Sequence, residues 1–425
     1  MKPKLFVLLL LFVGSLSAQT ISNRRIKRQI QKWKAFESAH IAVSVISMHR
    51  NKTKVSFRDH EYMTPASNVK LLTFLAAQQQ FDSLPVLQYI ALNDSTTVFR
   101  STGYPLLYHP LYPDPDLSAF FSQDKKWDYD APLQTPKRFG SGWSWDDFNY
   151  YFSAEISPFP IFGNTVQASQ SGQQPSLYPP AFSQKILLDT LSSAFEREEN
   201  KNIFRYNPRL WKDTDTIYRP FITSDSLFVN LLAQQTQNPV RLLESPYQSS
   251  IWNTLFTHYE KTLYKGLLQD SDNGIAESLL LMISQQKWGY MDTQKTIDTL
   301  LLKWKPWLPD PIQWVDGSGV SRYNMITPRT LTAVLQKIYN TVGWETISIL
   351  FPKGGVSGTL KKYKGATVFA KTGTLRHNHN LSGYLISKKG KTYLFSIMVN
   401  HHTASTSEIR EGIGNFLSWL EKKLR

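Results

Sequence analysis

The feature that most limits how this chain can fold lies near its C-terminal end. Three runs rich in β-branched and aromatic residues, 366–372 (ATVFAKT), 380–388 (NLSGYLISK) and 391–400 (KTYLFSIMVN), follow one another with only short turns between them, the last at Lys389-Gly390. Connections this short cannot carry a crossover, so the three strands must run as an antiparallel meander. A helix is expected from about 405 to 424, where Ile409, Ile413, Phe416, Leu417 and Leu420 fall on one face. It ends in Lys422, Lys423 and Arg425. A membrane-surface helix is one reading, but packing on the meander is the stronger one.

The opposite end has a different character. Lys2 and Lys4, the apolar run LFVLLLLFV and the small residues closing Ser15-Leu16-Ser17-Ala18 have the three-part layout of a secretory signal over residues 1–18. The alternative is an uncleaved anchor, yet the apolar core is about ten residues where a spanning helix needs about twenty. No later stretch is apolar enough to span a bilayer, so the mature chain is expected to be soluble or peripheral, in the periplasm or another exported part of the cell envelope. There is no cysteine. In an exported chain this excludes a disulfide framework, a lipidated N-terminal cysteine, a cysteine nucleophile and thiolate metal sites. With 425 residues, 41% of them hydrophobic, the fold can hold by its core alone. The net charge of +15 points to an anionic neighbourhood. Export makes nucleic acid the poorer partner and leaves wall polymer or membrane surface, so peripheral membrane contact stays open. The basic stretch 24–28 reads best as a solvated helix face.

Between these ends the chain divides by composition. Runs 40–49 and 53–59 read as a hairpin turning at Arg50-Asn51-Lys52. From 93 to 228 prolines cluster, aromatics are dense and long periodic segments are lacking, which marks a separate, β-rich insert. The expected organisation is thus a signal at 1–18, a first core part at 19–92, an inserted accessory domain at 93–228, and a second core part at 229–425. The insert carries Gly142-Trp143-Ser144-Trp145-Asp146-Asp147, followed by Tyr150, Tyr151 and Phe152. Aromatics beside carboxylates can grip a sugar or an amine, or can be packing with a polar edge. The chain shows no internal repeat and no low-complexity tract.

Three short motifs carry chemistry. In Pro65-Ala66-Ser67-Asn68-Val69-Lys70, running into LLTFLAAQ, a hydroxyl and an amine fall on one helical face about a turn apart. That pairs a nucleophile with a base, provided the lysine is kept neutral. Ser-x-x-Lys recurs at Ser122/Lys125 and Ser284/Lys287, so it is not specific alone. Ser271-Asp272-Asn273 precedes an apolar helix at 274–286 and could be nothing more than its cap, yet it is the only Ser-x-Asn. Lys371-Thr372-Gly373-Thr374 ends a strand. A cation beside hydroxyls suits a carboxylate, and the glycine admits a substrate backbone close to the strand. A glycine-punctuated loop, Asp316-Gly317-Ser318-Gly319-Val320-Ser321-Arg322, lacks phosphate-loop spacing. In this order the three motifs form a strong set.

With PASNVKLLT, SDNGIAESLL, DGSGVSR and GWSWDDFNYYFSA, the chain resembles the penicillin-recognising serine enzymes, specifically the penicillin-binding protein 4 type of D-alanyl-D-alanine carboxypeptidase/endopeptidase. Ser67 and Ser271 lie 204 positions apart, room for that family's inserted domain and far more than a class A β-lactamase uses. The resemblance implies an α/β (α+β) fold: a serine β-lactamase/transpeptidase-like domain with an antiparallel sheet flanked by helices, plus an inserted β-rich domain. It implies that Ser67 attacks the carbonyl of the penultimate D-alanine in peptidoglycan stem peptides, with Lys70 as base, tuned by the charge of Lys371 and by partial burial. Ser271 would pass a proton to the leaving amine, and Asn273 would bond the substrate amide. Thr372, Gly373 and Thr374 with Lys371 would hold the terminal carboxylate. Backbone N–H groups of Ser67 and Thr374 would form the oxyanion hole. Arg322 and Asp147, or its neighbour Asp146, match positions near the substrate's diamino-acid side chain. β-Lactams would acylate Ser67, and neither metal nor cofactor is implied.

Two segments depart from the family pattern: Gly103-Tyr104-Pro105-Leu106-Leu107 replaces Gly-Asp-Pro-Thr-Leu, and in GGVSGTL Ser357 replaces an aspartate, while the insert is shorter than in the longest members. The competing readings are a β-lactamase and an inactive relative that only binds wall peptides. Neither the balance of carboxypeptidase and endopeptidase action nor the oligomeric state follows from the sequence.

Overall fold

The computed structural model describes residues 20–171, 174–212, 215–249 and 251–424, so the expected signal at 1–18 lies outside it. The C-terminal meander forms as its spacing requires, with strands Thr367–Leu375, Asn378–Ile386 and Thr392–Asn400. The N-terminal hairpin, His40–Ser47 and Lys52–Phe57, extends the same sheet. His40 pairs with Asn400 and Ser47 with Tyr393, giving one antiparallel five-stranded sheet that joins the two ends of the chain.

Both faces of this sheet are covered, which explains strands that read as nearly continuous apolar runs. Successive residues alternate between two cores. Val43, Val45, Ala370, Leu381, Phe395, Ile397 and Val399 face a core completed by the C-terminal helix Thr406–Lys423. Ala42, Phe369, Tyr384, Leu394 and Met398 face the other core, shared with helices Lys70–Gln80, Asn273–Trp288 and Pro328–Leu350. The five apolar residues expected on the C-terminal helix are all buried. Each such side chain contributes about 1.5–3 kcal/mol by burial against the sheet and is not available to a membrane surface. That helix starts with a capping box between Ser405 and Glu408. Among the described residues, no helix is long and apolar enough to cross a membrane.

The middle of the chain is β-rich, in three further sheets. One has five strands in the order Val240–Leu242, Lys126–Tyr129, Thr96–Ser101, Pro85–Asn93 and Asn253–Phe256. It therefore takes chain from both sides of the expected 93–228 bounds: the 85–101 hairpin crosses residue 93, and two edge strands follow residue 228. Phe99, Phe121, Trp127, Tyr129 and Phe228 pack edge-on and stacked upon it, which accounts for much of the aromatic density. Two three-stranded sheets complete the region. The two departures from the family pattern fill structural roles. Buried Tyr104 donates to Asp114 at 2.7 Å, and Ser357 accepts the Lys353 N–H at 3.0 Å.

Candidate active site

A short 3₁₀ turn, Ala66–Val69, runs directly into the helix Lys70–Gln80. It is wedged against the Thr367–Leu375 strand: Asn68 Nδ2 donates to the Lys371 carbonyl at 3.0 Å, while Ser382 Oγ donates to Asn68 Oδ1 at 2.6 Å. Close approach is possible because position 373 is glycine. A Cβ there would lie 2.3 Å from the Pro65 carbonyl oxygen. Gly319 meets the turn from the other side at φ +82°, where a Cβ would lie 2.1 Å from the Ala66 carbonyl oxygen.

Lys70 is fully buried under Ser67. Its Nζ donates to Ser67 Oγ at 3.1 Å, to Asn273 Oδ1 at 2.5 Å and to the Ser318 carbonyl at 2.7 Å. Burial pushes its pKa down to about 8, against the pull of Asp316, Glu277 and Asp272 toward the charged form. Burial of Lys70 is complete rather than partial and is the leading cause of its shift, and Lys371 is itself lowered well below its ordinary value by burial and then by the charge of Lys70.

Lys371, also fully buried, donates from Nζ to Ser271 Oγ at 2.8 Å and to the Thr372 carbonyl at 2.9 Å. The Ser-x-Asn triplet divides its labour. Asp272 alone caps the helix Asn273–Trp288 through the Ile275 N–H at 2.8 Å. Ser271, in the left-handed region at φ 65°, and Asn273 turn to the two lysines. Direct hydrogen bonds thus join Ser67, Lys70 and Asn273 in one set and Ser271 and Lys371 in another, although 304 positions separate Ser67 from Lys371.

The remaining expected residues lie at the margins. Thr372 Oγ1 bonds Thr359 Oγ1 at 2.9 Å, and exposed Thr374 bonds His379 at 2.7 Å. The strand edge at Thr372–Leu375 continues past the part covered by 352–354, where Pro352 and Gly354 bond the strand. Arg322 Nε donates to Ser144 Oγ at 3.3 Å, and its charge acts on Asp147 through space. Burial and Asp146 raise the Asp147 carboxyl, which Arg322 partly offsets. Asp146 is exposed.

Several further residues around the site lie within the quoted segments but have no role assigned by the sequence. Glu277, buried on the apolar helix, accepts the N–H groups of Gly317 and Ser318 at 3.0 and 2.8 Å. Buried Asp316 accepts from Gly319 N, Ser321 N and Asn324 Nδ2 at 2.9, 2.6 and 2.7 Å. Two residues from the aromatic segment 142–152 also reach the site: Trp143 Nε1 donates to Asp316 at 2.9 Å, and Asn273 Nδ2 donates to the Phe152 carbonyl at 2.6 Å. One available signal was a carboxylate at position 277, inside an otherwise apolar run.

Residues 257–420 match the D-Ala-D-Ala carboxypeptidase 3 (S13) family. The chain is 23% identical to a D-alanyl-D-alanine carboxypeptidase of Haemophilus influenzae, over 93% of its own length and 92% of that protein's. A penicillin-sensitive carboxypeptidase A of Dictyostelium discoideum is 34% identical over 25% of this chain and 23% of its own. Among solved structures, penicillin binding protein 4 of Haemophilus influenzae superposes with a TM-score of 0.73 at 20% identity, covering 93% of this chain and 99% of that one. A penicillin G-acylated predatory endopeptidase of Bdellovibrio bacteriovorus gives 0.51 at 14% identity, over 91% of this chain and 93% of that one. The C-terminal part thus matches the S13 family model, and nearly the whole chain is similar in sequence and in fold to a D-alanyl-D-alanine carboxypeptidase of the penicillin-binding protein 4 type.

Proposed function

We propose that this chain is a serine-type D-Ala-D-Ala carboxypeptidase of the cell envelope that acts on peptidoglycan stem peptides through an acyl-enzyme on Ser67. The observation that carries the reading is the buried Lys70 amine 3.1 Å from Ser67 Oγ, with burial lowering its proton affinity. Neutral Lys70 takes the Ser67 proton as Oγ attacks the penultimate D-alanine carbonyl. N–H groups of Ser67 and Thr374 receive the developing oxyanion, an effect typically worth about a hundredfold per donor. As the C–N bond breaks, Ser271, bonded to Lys371, passes a proton to the departing D-alanine amine. Water then attacks the ester, and Ser67 regains its proton as the shortened peptide leaves. Asn273 bonds the substrate amide, and Lys371, Thr372, Gly373 and Thr374 frame the terminal carboxylate. Asp147, with Arg322 beside it, is the carboxylate offered to a free amine on the stem peptide's diamino acid.

Endopeptidase action on cross-links uses the same acylation with a larger leaving group, and the Bdellovibrio neighbour carries that name. β-Lactams are the expected covalent inhibitors. Labelling with a fluorescent penicillin tests the reading: stable labelling lost in Ser67→Ala is expected. Rapid turnover of the label would indicate a β-lactamase instead, and no labelling would leave only a wall-peptide binder.

A further inference from the structure

The Thr374 hydroxyl has a buried partner outside the three motifs. Thr374 and His379 are register partners across the hairpin, and Thr374 Oγ1 lies 2.7 Å from His379 Nδ1. The other ring nitrogen, Nε2, lies 2.5 Å from the Tyr363 hydroxyl. Behind Tyr363 stands Arg410 of the C-terminal helix, near enough for its charge to act on that hydroxyl. His379 and Tyr363 are 1% and 3% exposed, so water does not compete inside this chain of contacts.

Each group's donor capacity sets a single direction. A guanidinium only donates, so the nearby Arg410 cannot take the hydrogen of the Tyr363 hydroxyl. Burial keeps Tyr363 a phenol, and its hydrogen is left to donate to His379 Nε2. His379 stays neutral because burial, Arg410 and His402 push its pKa down to about 3. A neutral imidazole carries one hydrogen, and with Nε2 accepting, that hydrogen sits on Nδ1 and is donated to Thr374 Oγ1. His402 does not compete, since its Nδ1 is 2.8 Å from the Ala404 carbonyl. The Thr374 oxygen already accepts, and its own hydrogen is free to turn to the cleft.

We infer that Tyr363 and His379, with the cation of Arg410 behind them, form a buried donor chain that fixes the Thr374 hydroxyl as a donor toward the substrate's terminal carboxylate. This rests on the reading that Lys371, Thr372 and Thr374 hold that carboxylate. The three are positioning residues, and none touches substrate. With the opposite tautomer, Nδ1 would draw the threonine hydrogen inward and leave an oxygen lone pair facing an anion. The protonated nitrogen of one buried histidine thereby decides whether the contact attracts or repels a carboxylate, and so favours acids over amides at the substrate terminus.

Two measurements test it. In ¹⁵N-imidazole NMR of the intact enzyme, His379 should carry its hydrogen on Nδ1, and the Nε2–H tautomer would overturn the proposal. Kinetics should then compare a peptide ending in D-Ala-D-Ala carboxylate with its C-terminal amide, using Thr374→Val, His379→Phe and the gentler Tyr363→Phe. Each variant should lower the acid-over-amide preference about tenfold or more, mainly through KM. The His379→Phe/Thr374→Val double variant should be little worse than either single one. Loss of preference in Thr374→Val with full retention in both His379→Phe and Tyr363→Phe would refute the donor chain alone. Full retention in Thr374→Val would refute the carboxylate reading beneath it, and the donor chain with it.

Discussion

Glu277 Oε1 accepts the Ser318 N–H at 2.8 Å, and the carbonyl of the same Ser318 accepts from Lys70 Nζ at 2.7 Å. One backbone residue therefore ties the buried carboxylate to the amine beside Ser67. Burial and the neighbouring Asp316 push Glu277 up to about 7, so its charge changes in the range where the amine must lose its proton.

Acylation should require neutral Lys70. The rate of penicillin labelling is expected to rise with pH and level off above about 8, the value to which burial lowers this lysine. Lys70→Ala should slow labelling by about a hundredfold or more. Normal acylation by that variant would remove Lys70 from the role of base.

Glu277→Gln should shift the same profile to lower pH. The carboxylate favours charged Lys70, and an amide removes that attraction while keeping an acceptor for the loop. Incomplete bonding of Gly317 and Ser318 should also cost about 1–3 kcal/mol of stability. Labelling rates across pH 6–10 would check the shift, and an unmoved midpoint would count against the coupling.

Gly319 and Gly289 make a controlled pair. Both have positive φ, but a Cβ at 319 would strike the Ala66 carbonyl, whereas position 289 has nothing within 4 Å. Gly289→Ala should cost about 1 kcal/mol through backbone strain alone. Gly319→Ala should cost more and displace the Ser67 turn, so denaturation midpoints and labelling rates should separate the two variants clearly.

Stability should fall with acid partly through His379. Its pKa is 6.5 in the unfolded reference and about 3 in the fold, so below 6.5 the unfolded chain binds a proton that the native state refuses. The stability of the wild type relative to His379→Gln should decline from pH 6.5 toward pH 3 and stay level above. Urea midpoints at several pH values would show this, and parallel curves would contradict it.

Asp147→Asn should reduce discrimination in favour of stem peptides that carry a free amine on the diamino acid, with less effect on peptides that lack it. Comparing kcat/KM for amine and acetylated substrates is the check. An unchanged ratio would take Asp147 out of the recognition site.

The local features were legible because they depend on neighbours in sequence. Turn lengths made 366–400 an antiparallel meander, helical spacing gave the C-terminal helix its apolar face, and the Ser67/Lys70 interval put hydroxyl and amine together. The roles of Ser271, Asn273 and Lys371 as partners for that pair came from the family resemblance of the three motifs and not from local chemistry. What remained hidden depends on contacts between distant segments. Pairing of His40–Ser47 with Thr392–Asn400 closes the sheet, and the accessory sheet gathers strands from both sides of a boundary drawn by composition. The state of Lys70 was also a tertiary outcome. Its spacing from Ser67 is fixed by the 3₁₀ turn that leads into the helix, but its proton affinity is set by burial and by Asp316, Glu277 and Asp272, because desolvation and fields act through space.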